Sequence, residues 1–207
     1  MITAVPKRKT KTGVMSSRRV LASAPRYDRQ YTDDELFYFP SEWHYELIDG
    51  YLRLLMMPTG DTHGIFTARI TVLLAVHILD KKLGDFFSTE TGFLLAENPD
   101  TVKAPDFAFV AKGRMPPFTG KYAKVAPDLV VETRSPSDRK AGIEEKIAEW
   151  LSFGVLYVLD LNPAKQTLVI HCPDHEPVTL TQADTFTADD ILPGFALPLA
   201  KVFPADE

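Results

Sequence analysis

Three acidic residues in this chain sit where carboxylates are costly. Glu46 lies in His44-Tyr45-Glu46-Leu47-Ile48-Asp49-Gly50, Asp106 in Ala104-Pro105-Asp106-Phe107-Ala108-Phe109-Val110, and Glu132 in Pro127-Asp128-Leu129-Val130-Val131-Glu132-Thr133-Arg134. Asp106 and Glu132 each sit on an apolar run of Phe, Val or Leu that suits a buried sheet. A carboxylate on such a strand must be paired or hold a metal. Oxygen ligands of this kind suit a hard cation such as Mg²⁺. Any one of the acids, taken alone, reads at least as well as an exposed residue at a strand end. The three together point to a metal site.

A cation follows on the next helix. At 100° per residue, Ile143, Ile147, Trp150 and Leu151 gather on one face, and Lys146 falls at its edge beside Trp150. Glu144, Glu145 and Glu149 are expected to point elsewhere. Lys146 is thus the charged residue of this helix placed to reach the sheet, although a lone lysine there also reads as one that snorkels to solvent. The histidines offer less. His63, at the start of the long helix, could hydrogen-bond the site or a phosphate but reads rather as a capping or surface residue, and His44 has no partner at ligand spacing. His171, Cys172 and His175 are interrupted by Pro173, which makes a poor zinc site. There is no Gly-rich phosphate loop and no Gly-x-Ser-x-Gly elbow.

The elements that must position these residues follow from local signals. Thr32-Asp33-Asp34-Glu35 predicts a capped short helix that Pro40 stops. Asp49-Gly50 between two apolar runs predicts a hairpin over 44–57. Ile65, Ala68, Val72, Ala75, Val76 and Leu79 recur at helical spacing, so a long helix is expected over 63–82, ended by Gly84. One or two strands follow over 85–96, then a turn at Asn98-Pro99-Asp100, a strand over 106–110, a loop over 111–127 and a strand over 128–133. Ser135-Pro136-Ser137-Asp138 opens a helix to about Phe153. Strands over 155–161 and 166–171 close the core, and Leu192-Pro193-Gly194-Phe195 forms a turn that packs its Phe inward. This order predicts an α/β or α+β fold with a mixed sheet.

Composition bounds the rest. The 207 residues make one large domain, read as residues 31–203 after an arm at 1–30 and before a tail at 204–207. The single cysteine forbids an intrachain disulfide and fits a reducing cytoplasm. No run of about 18 apolar residues predicts a membrane-spanning helix, and the basic N-terminus lacks the apolar segment of a secretory signal. The first 30 residues hold eight Lys/Arg and one acid; the remainder holds 15 basic and 27 acidic side chains, a net of −12. The acidic body excludes a protein that coats nucleic acid broadly. The arm reads as flexible and solvated, with non-specific phosphate binding as the functional alternative.

Asp106, Glu132 and a nearby basic residue resemble the PD-(D/E)xK nuclease pattern. The ordered segments Tyr45-Glu46-Leu47-Ile48-Asp49-Gly50, Pro105-Asp106, Val131-Glu132-Thr133-Arg134-Ser135-Pro136-Ser137, Glu145-Lys146, Gly154-Val155 and Leu192-Pro193-Gly194-Phe195 are similar to the Uma-two family of restriction endonuclease-like proteins, over roughly residues 31–203. The resemblance implies a restriction-endonuclease-like core, a mixed β-sheet flanked by helices. It implies Asp106, Glu132 and the Thr133 carbonyl as ligands of Mg²⁺ or Mn²⁺, with Glu46 as the upstream acid. The superfamily pattern has lysine two residues after the glutamate. Arg134 stands there instead, and an arginine cannot act as a titrating base. The resemblance shifts the lysine to Lys146. The implied activity is hydrolysis of DNA phosphodiesters, with a possible homodimer. The alternative is a non-catalytic dimeric binding or scaffold module that keeps the fold, and a remoter one is a hydrolase of another phosphate ester. If the arm grips phosphates, deleting residues 1–27 should weaken DNA binding and flatten its salt dependence, because fewer counterions are released. Unchanged affinity and slope in a salt titration would make the arm a bystander.

Overall fold

Thr32 accepts a hydrogen bond from the Glu35 amide while the Glu35 carboxylate accepts one from the Thr32 amide, so α1 (Asp33–Phe37) begins in the reciprocal cap its sequence encodes. The computed structural model describes residues 25–40, 43–55, 59–89 and 91–204. The hairpin follows as β1 (Tyr45–Ile48) and β2 (Tyr51–Leu54). Its turn residues Asp49 and Gly50 have φ of 51° and 80°, the doubly left-handed geometry that suits an Asp-Gly pair. Both β1 and β4 (Phe93–Ala96) pair with β5 (Thr101–Lys103), giving a four-stranded sheet in the order β2-β1-β5-β4.

The main sheet has six strands. β3 (Gly84–Ser88), β6 (Phe107–Ala111), β7 (Leu129–Thr133), β8 (Tyr157–Asn162), β9 (Thr167–His171) and β10 (Val178–Leu180) run in the order β10-β9-β8-β7-β6-β3. Only β7 and β8 are parallel in this sheet, and they need a crossover, which α3 (Lys140–Ser152) supplies. Residues 85–96 therefore belong to two sheets. The chain also continues past residue 171, where the last strand was expected, into β10 and a small pair, β11 (Thr185–Thr187) and β12 (Ala196–Pro198).

Strand alternation sends side chains to two cores. Phe107, Phe109, Leu129 and Val131 face α2 (Asp61–Lys81) and pack with Ile70, Leu74, Ile78, Phe186, Phe195 and Leu197. Ala108, Val110 and Val130 face α3 and pack with Ile147 and Trp150. The face of α2 that enters the core is not the expected stripe. Ile70, Leu74 and Ile78 are fully buried, whereas Ile65, Val72, Val76 and Leu79 point outward. By length and composition, α2 would also pass as a membrane span, contrary to the sequence expectation; its 18-residue window reaches a mean hydropathy of 1.5, with a third of that window buried in the fold. Helix α3 starts later than Ser135, because Asp138 accepts from the Ser135 amide and closes a separate turn first.

Six of the eight arm cations precede residue 25 and lie outside the described residues. Arg26 pairs with Asp28, and Arg29 pairs with Glu35 and stacks on Tyr31 at 3.5 Å.

At the start of β3, Gly84 has φ of 155°, and a Cβ added there would sit 2.1 Å from the Val110 carbonyl oxygen. Gly84→Ala is expected to lower stability by about 2–4 kcal/mol through backbone strain and steric clash. Urea unfolding checks this, and an unchanged midpoint would refute it.

Candidate active site

The strand order places two acids side by side. β6 and β7 pair Phe107 with Val131, and Asp106 and Glu132 are the next residues along, at the end of the ladder. Asp106 stands one residue before β6 rather than within it. Its carboxylate replaces a strand partner, accepting the Thr133 amide at 2.7 Å, while its own amide donates to the Val131 carbonyl. Parity sends Glu132 toward α3 and Thr133 toward α2. There Thr67 Oγ1 donates to the His63 carbonyl at 2.7 Å and lies 2.8 Å from Thr133 Oγ1, which ties the first turns of α2 to the end of β7.

Asp106, Glu132, Thr133, His63 and Lys146 line one cleft of about 170 Å³. Glu132 has 15% side-chain exposure. Its Oε1 accepts the Trp150 indole N–H at 2.7 Å, and its Oε2 lies 3.5 Å from Lys146 Nζ. Burial raises the Glu132 pKa, Lys146 opposes that, and the nearby Asp106 and Glu46 charges add to it. The Glu132 charge raises the Lys146 pKa despite burial of the amine, with Glu46 adding further, so Lys146 is a fixed cation at neutral pH. His63 Nε2 lies 3.5 Å from Asp106 Oδ2. Hydrogen bonding to Asp106 raises the His63 pKa, against the effect of burial.

Neither of the other expected residues lines this cleft. Arg134 lies beside it, in an adjoining pocket that Glu132, Thr133 and Lys146 also line. Its Nε donates to Asp160 Oδ1 at 2.7 Å, and a second contact makes the pair bidentate with that almost fully buried carboxylate on β8. Glu46, on the hairpin strand β1, is 1% exposed and is not among the residues lining the cleft. Its Oε1 accepts the Ala104 amide at 2.9 Å, and its Oε2 is buried without a hydrogen-bond partner. Among the described residues, no three His, Cys, Asp or Glu side chains stand close enough to hold a metal between them.

Three residues whose roles sequence reasoning did not assign, and His63, which it read rather as a surface residue, stand around the site. His63 is buried against Asp106 rather than capping at the surface. Lys103 is fully buried, pairs with Glu149 and lies 4.8 Å above the Trp150 ring. Glu149 does not point away from the sheet. It takes Arg53 Nη1 at 2.8 Å as well as Lys103. Burial alone would raise the Glu149 pKa, but the hydrogen bonds from Arg53 and Lys103 hold it below the usual range. Trp150 is a core residue whose N–H reaches Glu132. One available signal was a lysine on the strand preceding Ala104-Pro105-Asp106, a position where an unpaired amine would be costly.

Residues 26–200 match a family model described as "Uma2: Putative restriction endonuclease". The fold is similar to a crystal structure described as a "putative nuclease belonging to DUF820" from Anabaena variabilis ATCC 29413, with a TM-score of 0.70 and 20% sequence identity. The match covers 84% of this chain and 97% of that one. No curated protein matches the chain. The expected architecture, a mixed sheet flanked by helices in a nuclease-like fold, is therefore the observed one.

Glu132 binds its proton more tightly in the folded chain than in the unfolded one. Its charge therefore costs stability above the folded pKa, and the cost fades as pH falls through that value. Glu132→Gln is expected to melt higher than wild type in metal-chelated, mildly alkaline buffer, with the gap closing on acidification. Thermal melts across pH check this; a pH-independent gap, or a lower melting point, would refute it.

Proposed function

The chain belongs to the Uma2 family, and from that premise we propose that it is an endonuclease that hydrolyses DNA phosphodiesters with Mg²⁺ or Mn²⁺. The observation that carries this reading is the cleft itself, where Asp106, Glu132 and the charged Lys146 meet while Arg134 is held elsewhere by Asp160.

The donor set suits the cation. Mg²⁺ is bound through one or two carboxylates and keeps several waters, so it needs no cage of three side chains. Asp106 and Glu132 offer two carboxylates and the Thr133 carbonyl a third oxygen. Glu46 Oε2 has no hydrogen-bond partner, but Glu46 does not line the cleft, and its charge already acts on Arg53 and Lys146. A bound divalent ion would lower the pKa of a water and neutralise phosphate charge.

The chain's own residues then have distinct tasks. Lys146 holds its proton and places a fixed positive charge beside Glu132, where it can stabilise the pentacoordinate phosphate. It serves as a cation and not as a base. His63 and the Thr133 amide both hold Oδ2 of Asp106, and the Trp150 indole fixes Glu132. Hydrolysis joins the water oxygen to phosphorus and breaks a phosphorus–oxygen ester bond. The water gives up a proton and the leaving oxygen gains one. Arg134 is assigned a structural task, neutralising Asp160.

Purified protein with Mn²⁺ is expected to nick supercoiled plasmid. Lys146→Ala should slow nicking about 10²–10³-fold, the effect of losing one well-placed charge donor, with its fold intact by circular dichroism. Asp106→Ala should lose Mg²⁺ or Mn²⁺ binding by isothermal titration. Arg134→Ala should instead cost about 3–5 kcal/mol of stability by leaving Asp160 buried alone, and retain most of the cleavage rate below its melting point. Equal inertness of wild type and Glu132→Ala over several metals would overturn the nuclease reading in favour of a non-catalytic binding module. Wild-type cleavage by Lys146→Ala, with loss in Arg134→Ala, would move the cationic role to Arg134.

A further inference from the structure

Helix α2 is apolar on two sides, and the fold uses one. Its inner side carries Ile70, Leu74 and Ile78, all fully buried. Its outer side carries Ile65, Val72, Val76 and Leu79, which are 49–60% exposed, together with the exposed Ala68. No charged residue interrupts this outer stripe. The exposed charges of α2 and its C-cap stand at the ends, Asp61 before the stripe and Asp80, Lys81 and Lys82 after it. A helix that is apolar all round is ordinarily covered all round, and contiguous exposed apolar surface marks an interaction site.

We propose that the outer face of α2 is a homodimer seam, against which α2 of a second copy packs antiparallel across a twofold axis at Val72. The occupant follows from the spacing. The stripe runs 65, 68, 72, 76, 79, with intervals of three, four, four and three, so it reads the same in both directions about Val72. A twofold interface requires such self-complementarity. In that pairing Ile65 meets Leu79 of the other copy, the small Ala68 meets Val76, and Val72 meets itself.

The charges agree with the same register. Antiparallel pairing about Val72 brings Asp61 of each copy, which stands in line with the stripe, level with residue 83 of the other helix and within reach of its Lys82. A parallel pairing would instead set Asp61 against Asp61. The five-residue stripe spans about 21 Å of helix. It is shorter than the ~20–30 residues per side of a standard interface, so the dimer is expected to be reversible. The two His63 residues would lie about 27 Å apart along the seam, one cleft toward each end.

Sedimentation velocity on the full chain over a concentration series tests this. Wild type should pass from monomer to dimer. Val72→Glu should weaken the dimer by more than about tenfold, since two like charges would meet on the axis, with unchanged circular dichroism because the site is exposed. Asp61→Lys should weaken it, and Asp61→Lys combined with Lys82→Glu should restore it. In a Cys172→Ser background, Val72→Cys should form a disulfide-linked dimer on mild oxidation. A wild type that stays monomeric throughout, a Val72→Glu variant that dimerises like wild type, or a charge reversal that gives no rescue would each overturn the proposal.

Discussion

Asp106 and Glu132 end neighbouring strands on the same face, and two like charges so placed repel unless something stands between or beside them. Much of the surrounding structure can be read as a response to that constraint. The Thr133 amide and His63 hold Asp106; the Trp150 indole and Lys146 hold Glu132. The raised Glu132 pKa shows that these partners do not fully offset burial and repulsion. The strain is local, and the strands carrying it are buried on both faces, which keeps the acids from separating to relieve it.

The other buried acids of this face are each given their own cation. Asp160 has Arg134, and Glu149 has Lys103 and Arg53. A buried ion pair stabilises little in net terms, but breaking one is costly, so these pairs act mainly as geometric locks. The Glu149 pair joins the hairpin sheet to α3, because Arg53 lies on β2 and Lys103 on β5. Lys103 also sits over the Trp150 ring, whose N–H orients Glu132. Positioning of Glu132 thus extends through three side chains into the second sheet, and Glu46, opposite Arg53 in the hairpin register, enters the same electrostatic neighbourhood.

The sequence was most legible where a signal is local. The Thr32 cap, the Asp49-Gly50 turn and the Val-rich strand before Glu132 need only neighbouring residues to be read, and each fell within a residue or two of its observed place. The long helix was located correctly, but its buried face was not. Both Ile65-Val72-Leu79 and Ile70-Leu74-Ile78 fit helical periodicity, and periodicity alone cannot say which stripe meets the sheet. His63, Lys103 and Glu149 escaped for a related reason. Their roles come from contacts across 43, 46 and 96 positions of chain, made between elements whose pairing no local pattern fixes.

The arginine two residues after Glu132, where the resemblance led one to expect lysine, becomes intelligible from the pairing of β7 with β8. Residues 132 and 134 face the same side of β7, but 134 lies one pleat repeat further on, about 6.6–6.8 Å away. The parallel neighbour β8 pairs Asp160 with Glu132, so an acid on that same face is waiting beside the strand end. Asp160 and Asp106 flank Glu132 at the same register level on adjoining strands, and the guanidinium of Arg134 turns to the Asp160 side. Arginine suits that task, because its planar fork can take both carboxylate oxygens at once. A second cation must then come from above the sheet. Helix α3 crosses over as the connection between β7 and β8, and Lys146 lies one turn before Trp150 on the face that meets Glu132. The right-hand partner of the strand and the helix above it thereby divide between them two charges that a single strand position could not serve together.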